Sequence, residues 1–383
     1  MILQTITEEE IKFNFDNEEG YPIHPIHSIH PYPAKFPSQL PSKILDRYAI
    51  KGQTVLDPFC GSGTTLVEAR IFGANAIGVD VNGLSVLLSK VKSTPLSLKQ
   101  LDKINLFISR INKKILDWKS NNRPQIKAKE IEGRHHWFQE NVSEEITFLL
   151  NEINKENEID VQDFLKIALS SIIVKVSNQE SDTRFAAIHK NIPDYYTLER
   201  FSKKLSEYSL IIAGLSKIIS KKNTLNVYNA DARNLDFIKD CSIDIIITSP
   251  PYANTYDYYL YHKFRKRWLD IDVKFAQYNE IGSRREYSSL KKKPEEWNND
   301  LIKCFKEIYR VLKGKHFAFV VIGDSVIKKD IIKIDKIICD FAPTIGFVIK
   351  NILSSDLENH SKIFNPSFAK KGKKEHLIIL QKI

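Results

Sequence analysis

The chain has 383 residues, of which 42% are hydrophobic and 27% charged, an ordinary globular composition with length enough for one large α/β domain carrying an insertion, or for two domains. Lysine and arginine number 57 against 47 aspartates and glutamates, a formal charge of +10, and this favours a polyanionic partner. Cys60, Cys241, Cys304 and Cys339 show no CxxC spacing, which argues against a disulfide frame or a zinc site and for a reducing compartment.

The start, MILQTITEEEIKFNFDNEE, is acidic and lacks the apolar centre of a signal peptide. No apolar run approaches membrane-spanning length, so a soluble, cytoplasmic protein without membrane contact is expected. YPIHPIHSIHPYPAKFP follows, too proline-rich for regular structure and expected to run extended over a surface. His24, His27 and His30 recur every third residue, but intervening prolines keep them off one helix face, and no metal is expected there. PSQLPSKILDRYAI reads as a short helix.

From Thr54 the pattern is strand TVLD, glycine-rich turn PFCGSG, helix TTLVEARIFG and strand NAIGVD, a β-turn-α-β unit that seeds a parallel sheet. The next strand, LNVYNAD, begins only at Leu225. Between them, stretches such as LDKINLFISRINKKILDW and VQDFLKIALSSIIVKV carry helical periodicity. Residues 95–220 are therefore read as a mainly helical insertion, a candidate target-recognition region, between core segments 1–94 and 221–383. Strands IDIIITS, HFAFVVIGD, GFVIKNIL and EHLIIL complete an α/β sheet.

Two constellations carry chemistry. VLDPFCGSGTT ends a strand on Asp57 and opens a helix through glycines, bringing backbone amides to a ligand at the carboxyl edge of the sheet. It has neither the Walker lysine nor the GxGxxG order of dinucleotide folds. Asp80 ends the second strand, where a carboxylate can accept from both hydroxyls of a ribose, and Asp231 ends the next. Three strand-end acids suit a positively charged nucleoside better than a phosphorylated one, although each alone also reads as a helix cap.

The second is Ser249-Pro250-Pro251-Tyr252, at the end of an apolar strand. An exocyclic amine on a nucleobase is a weak nucleophile because its lone pair is delocalised into the ring. Acceptors that grip its two N–H bonds favour the tetrahedral geometry needed for attack on an electrophilic methyl. Ser249 Oγ and the Pro250 carbonyl are the candidate acceptors, and the proline pair fixes the turn without adding competing donors. Tyr252 is placed to stack on an extruded base. The bland alternative is a proline-stiffened turn with Tyr252 as ordinary packing.

Together DPFCGSGTT and TSPPY resemble the amino-group DNA methyltransferases of restriction-modification systems, and the serine form of the second motif is most similar to the N4-cytosine-specific members. The resemblance implies a Rossmann-like class I methyltransferase fold with a mixed, mostly parallel sheet. It implies S-adenosyl-L-methionine as cofactor, double-stranded DNA as substrate and a possible cognate restriction endonuclease as partner. HPYPAKFP is similar to the motif preceding the cofactor loop, which implies Phe36 over the cofactor. Asp57, Phe59, Cys60, Gly61, Ser62, Gly63 and Thr64 are implied in the loop, Asp80 at the ribose and Asp231 near the adenine. The cofactor motif precedes the catalytic one, the reverse of the arrangement common among N4-cytosine enzymes, and such permuted orders occur in the family.

Weaker signals remain. SNQESDTRFAAIHKN offers Arg184, with His189 and Lys190, either to nucleic acid or to a plain loop. YDYYLYHKFRKRWLD offers Lys263, Arg265, Lys266 and Arg267 to phosphates, or as the solvated face of a helix with buried aromatics. IGSRREYSSLKKK adds Arg284 and Arg285. N6-adenine or RNA methylation, a non-catalytic nucleic-acid-binding module on this fold and an NAD-type dehydrogenase are the competing readings.

Overall fold

The computed structural model describes residues 22–121, 123–291, 293–327, 330–356 and 372–383. The acidic start therefore lies outside the described residues.

Seven strands form one sheet: β1 Thr54–Asp57, β2 Asn75–Asp80, β3 Leu225–Asn229, β4 Ile243–Thr248, β5 Leu312–Gly323, β6 Phe347–Asp356 and β7 Lys374–Lys382. Their spatial order is β3-β2-β1-β4-β5-β7-β6. The five strands from β3 to β5 pair in parallel, and β7 runs antiparallel to both β5 and β6. All six residues of β4 are buried, as an apolar run covered on both faces must be.

Successive side chains point to opposite faces of a strand. Val55, Ala76, Ile245, Phe319 and Leu377 pack against α1 (Gln39–Tyr48) and α2 (Thr64–Phe72). Leu56, Val79, Ile246, Ala318 and Ile378 pack the other face. That face is covered by two long helices, Pro294–Val311 and Ile334–Ile345. The strand order reverses between the parallel neighbours β1 and β4, where successive connections leave to opposite sides and open a crevice at the strands' carboxyl ends. The glycine-rich turn and the Pro-Pro turn each begin at that crevice.

Between β2 and β3 the chain builds α3 (Gly83–Ser93), α4 (Leu98–Ser120), α5 (Glu140–Ile153), α6 (Ile159–Ile172) and α7 (Tyr196–Ile218). Helix α4 starts with a reciprocal cap: Gln100 N donates to Ser97 Oγ, and Ser97 N donates to Gln100 Oε1 at 2.8 Å. The helical segment does not hold a core of its own. Its Ile104, Phe107, Ile146, Phe164 and Phe201 share one cluster with Val67 and Leu84, with Ile26 and Ile29, and with Phe264 and Trp268 beyond the Pro-Pro turn.

Two expectations are corrected. The proline-rich stretch is not laid over the surface: Pro25–Ser28 is a 3-10 turn, whose three-residue repeat aims Ile26 and Ile29 inward, fully buried. Within 177–191 a two-stranded hairpin forms, Gln179–Ser181 against Arg184–Ala187, in place of a loop.

Candidate active site

At the crevice lies an open cleft. The turn after β1, the ends of β2 and β3, the Pro-Pro turn, the HPYPAKF stretch and residues 276–281 all line it. Phe36, Phe59, Cys60, Gly61, Ser62, Thr64, Asp80, Asp231, Ser249, Pro250, Pro251 and Tyr252 are brought together there, although 185 positions separate Thr64 from Ser249 in the sequence.

Asp57 and Gly63 lie behind the wall. Thr248 Oγ1 donates to Asp57 Oδ1 at 2.6 Å, and Phe59 N donates to the same oxygen at 3.1 Å. Asp57 is thus the bolt that joins the end of β1 to the end of β4. It is 1% exposed, and burial raises its carboxyl to about 6 against the opposing pull of Thr248 and Phe59. Gly63 has φ +81°, and an added Cβ would stand 2.7 Å from the Cβ of Ser89 on α3. Only glycine permits both that turn and that approach.

Asp80 holds the loop from its other side. Gly61 N donates to Oδ2 at 2.9 Å and Asn82 N to Oδ1 at 2.7 Å, which leaves each oxygen a lone pair toward the cleft. Burial raises Asp80 to about 6. Beneath the loop, buried Lys92 donates to the Ser62 carbonyl at 2.8 Å, its ammonium held well below the usual lysine range by burial and by the charge of Lys35. Asp231 is gripped by Arg233, whose Nη2 donates to Oδ2 at 2.6 Å.

On the catalytic side, Trp297 Nε1 donates to the Pro251 carbonyl at 3.3 Å and the Tyr252 hydroxyl donates to Glu375 Oε1 at 3.1 Å. No described donor takes the Pro250 carbonyl. Tyr32 forms a further wall: its ring stacks on His262 at 5.0 Å and on Tyr258 at 5.8 Å, and its hydroxyl meets Ser85 Oγ at 2.8 Å.

The sequence reading missed Glu280, which with Asp80 and Asp231 supplies the three carboxylates of the lining; Lys35 is the cation, and its ammonium donates to the His27 carbonyl. Glu280 accepts from Tyr258 N at 2.7 Å, and burial pushes its carboxyl up to about 8. Nothing in AQYNEIGS marks it locally. Tyr32, by contrast, stands inside the HPYP motif.

The basic run is corrected. On the turn Lys263–Trp268, Arg265 and Lys266 are wholly buried and cannot reach phosphates. Arg265 donates through Nε to the Ser170 carbonyl at 3.0 Å and pairs with Asp182. The reason is that this turn is sandwiched between the helical segment and the cleft, with Phe264 and Trp268 in the shared core. Lys263 and Arg267 keep partial exposure, and Arg267 pairs with Glu132. Arg184 is exposed on the hairpin, 2.9 Å from Glu180, and Arg284 and Arg285 are half-buried near Tyr259 and Asp257.

The three N-terminal histidines go separate ways. His24 accepts from Ile26 N, His27 meets Glu68 at 2.6 Å, and His30 meets Ser170 Oγ at 2.9 Å. Among the described residues one cluster has ligand spacing, Asp324, Asp335 and His376. The Lys333 ammonium already lies 2.7 Å from Asp324 there. Among the described residues no helix is long and apolar enough to cross a membrane.

A three-layer α/β structure with strand order 3-2-1-4-5-7-6 and a cleft at its switch point is a Rossmann-like methyltransferase fold. The chain belongs to the DNA methylase family of the N6/N4 class, whose model matches residues 8–88 and 243–382. It is similar to the type II methyltransferase M.MvaI of Kocuria varians, 26% identical over 82% of this chain and 80% of that protein. It is also similar to the type II methyltransferase M.MjaII of Methanocaldococcus jannaschii, 24% identical over 82% of this chain and 75% of that one. Among solved structures, a SAM-dependent methyltransferase from Methanosarcina mazei is similar over 89% of this chain and 97% of its own, at 12% identity and a TM-score of 0.36. The cofactor of this DNA methylase is S-adenosylmethionine. The cleft fits it: Asp80, with a lone pair left on each oxygen, suits a cationic nucleoside, and apolar and aromatic walls suit its adenine.

Proposed function

We propose that the protein transfers a methyl group to the exocyclic N4 of a cytosine extruded from double-stranded DNA. The observation that carries this reading is the Pro250 carbonyl, without a described donor, beside Ser249 in the cleft that also holds the cofactor loop. Asp80 holds the ribose hydroxyls, Asp231 the adenine edge, and Phe36 with the Phe59–Thr64 turn encloses the remainder. S-adenosylmethionine supplies the electrophilic methyl. Ser249 Oγ and the Pro250 carbonyl accept from the two N–H bonds of the target amine as it becomes tetrahedral, and Tyr252 stacks on the base with its hydroxyl anchored by Glu375. Orientation of the two reactants supplies much of the acceleration. The nitrogen, as the nucleophile, would gain the methyl as the methyl's bond to the sulfonium sulfur breaks to leave a neutral thioether, and would then release its extra proton to water.

The serine in SPPY supports cytosine over adenine. For DNA, the hairpin at Arg184–Ala187 contacts the helical turn Tyr258–Tyr261 at the cleft. It is anchored through Phe185 stacked on Phe264 at 5.6 Å, so Arg184 stands beside the cleft's aromatic wall as a phosphate or base contact. Lys263, Arg267, Arg284 and Arg285 extend this basic margin, and residues 95–220 serve as the target-recognition region. A cognate endonuclease of restriction-modification type is the expected partner.

The test is incubation with labelled S-adenosylmethionine and unmodified bacterial DNA, followed by digestion and mass spectrometry of nucleosides. N4-methylcytosine supports the reading, N6-methyladenine keeps the chemistry and overturns the target, and no methylated nucleoside defeats it.

A further inference from the structure

Pro250 and Pro251 carry no backbone N–H, so their turn cannot be tied by its own amides and has to be held through carbonyls and neighbouring side chains. The first backbone amide beyond them with a partner among the described residues is that of Asn254, which donates to the Gly282 carbonyl at 2.8 Å. Asn254 Nδ2 donates to the Val326 carbonyl at 3.0 Å. Nearer the chemistry, the described donor to a proline carbonyl is the Trp297 indole, 3.3 Å from the oxygen of Pro251. Trp297 lies buried in the opening turn of the helix Pro294–Val311 and shares a core cluster with Ala253, Ile281, Leu301 and Ile322. Gly282 lets the indole pass. At its φ of +73°, an added Cβ would stand 3.0 Å from both Cδ1 and Nε1 of the ring and 3.2 Å from Cα of Ala253. Glu286 holds Gly282 in turn, Oε2 accepting from its N–H at 2.7 Å.

We propose that Trp297 is a positioning residue for methyl transfer, whose ring N–H holds the Pro251 carbonyl and so leaves the Pro250 carbonyl as the one presented to the target amine. This rests on the function proposed above. The amine has two N–H bonds to place, and Ser249 Oγ takes one. Two successive proline carbonyls compete for the other, and a donor on the second occupies its oxygen and fixes the plane of the peptide that joins Pro251 to Tyr252. The same contact therefore orients the start of Tyr252, whose hydroxyl is held at the far end by Glu375 at 3.1 Å. The ring meant for the base is tied at both ends. Tryptophan suits the task because its indole nitrogen only donates: it binds a carbonyl and offers no oxygen or lone pair that would draw the amine's protons away.

The experiment compares the full chain with Trp297→Phe, which keeps an aromatic ring in the core and deletes the donor, and with Leu301→Ala, a packing control one helical turn further on in the same cluster. Three quantities are read: single-turnover methyl transfer from labelled S-adenosylmethionine to unmodified bacterial DNA, S-adenosylhomocysteine affinity by calorimetry, and affinity for a fragment of the same duplex by anisotropy. In Trp297→Phe the transfer rate should fall about tenfold or more, as expected when a reacting geometry slips by a fraction of an ångström. Both affinities should stay within about twofold of the wild type. Leu301→Ala should destabilise the fold while its rate stays near that of the wild type. An unchanged rate in Trp297→Phe, an equal fall in Leu301→Ala, or a loss carried by either affinity instead of the rate overturns the proposal. Should Trp297→Phe not fold, benzothienylalanine at the same position, which keeps the ring shape and has sulfur in place of the N–H, decides it: a slowed rate supports the inference and an unchanged one overturns it. A wild type that methylates no DNA defeats the function proposed above and this inference with it, whereas a wild-type rate in the variants removes only Trp297.

Discussion

Replacing Thr248 by valine keeps the shape of a wholly buried side chain and removes the 2.6 Å bond to Asp57. The cost depends on the charge state of Asp57. Burial raises that carboxyl from 3.8 to about 6, so the stability contributed by its proton uptake is present below the unfolded value and lost as pH rises through about 6. At pH 8 the wild-type bond is charge-assisted and its removal should cost about 1.5–3 kcal/mol. At pH 5 the acid is neutral and the same deletion should cost about 1 kcal/mol. Losing a bond to the ionised form also raises the carboxyl further, which widens the gap in the same direction. Urea unfolding of both proteins at pH 5 and pH 8 reads the difference directly. An equal cost at the two pH values, or a larger one at pH 5, would refute the assignment of Asp57 as an ionised bolt between β1 and β4.

Ser249→Ala should lower the methyl-transfer rate about 10²-fold or more while leaving S-adenosylhomocysteine affinity unchanged; rapid-quench kinetics with calorimetry separates the two, and a wild-type rate removes Ser249 from the mechanism. Gly63→Ala forces an L side chain to φ +81° and into Ser89, so unfolding experiments should show a loss of about 2 kcal/mol or more, accompanied by weaker cofactor binding. Arg184→Ala should reduce the salt dependence of duplex binding by about one phosphate contact, measured by fluorescence anisotropy across a salt series; an identical slope places DNA elsewhere.

The strands were legible because each is a short apolar run between turn residues, and β4, with IDIIIT buried throughout, could hardly read otherwise. The two motifs were legible because glycine and proline constrain the backbone locally. What escaped reading depends on neighbours distant in sequence. Asp57 looks like any strand-end acid of the cleft until Thr248 is seen beside it. Arg265 and Lys266 look like a solvated basic face, yet two layers close over them. Glu280 sits in a polar stretch without periodicity, and only the fold of residues 256–281 over the strand ends brings it to the lining. The hairpin at 179–187 is polar and barely alternates, so its pairing is specified by the Phe185 contacts beneath it rather than by its own residues.

The adjacency of β1 and β4 in the sheet has an implication for gene architecture. The glycine-rich turn and the Pro-Pro turn meet across one strand-to-strand spacing, and the long helical excursion that joins them in the polypeptide passes outside that junction. That junction is set by strand pairing and not by the order of its two halves in the chain. A gene that wrote the two halves in the opposite order, with new termini in the excursion, would have to preserve both this pairing and the core that the excursion shares with Val67 and Phe264 to build the same cleft.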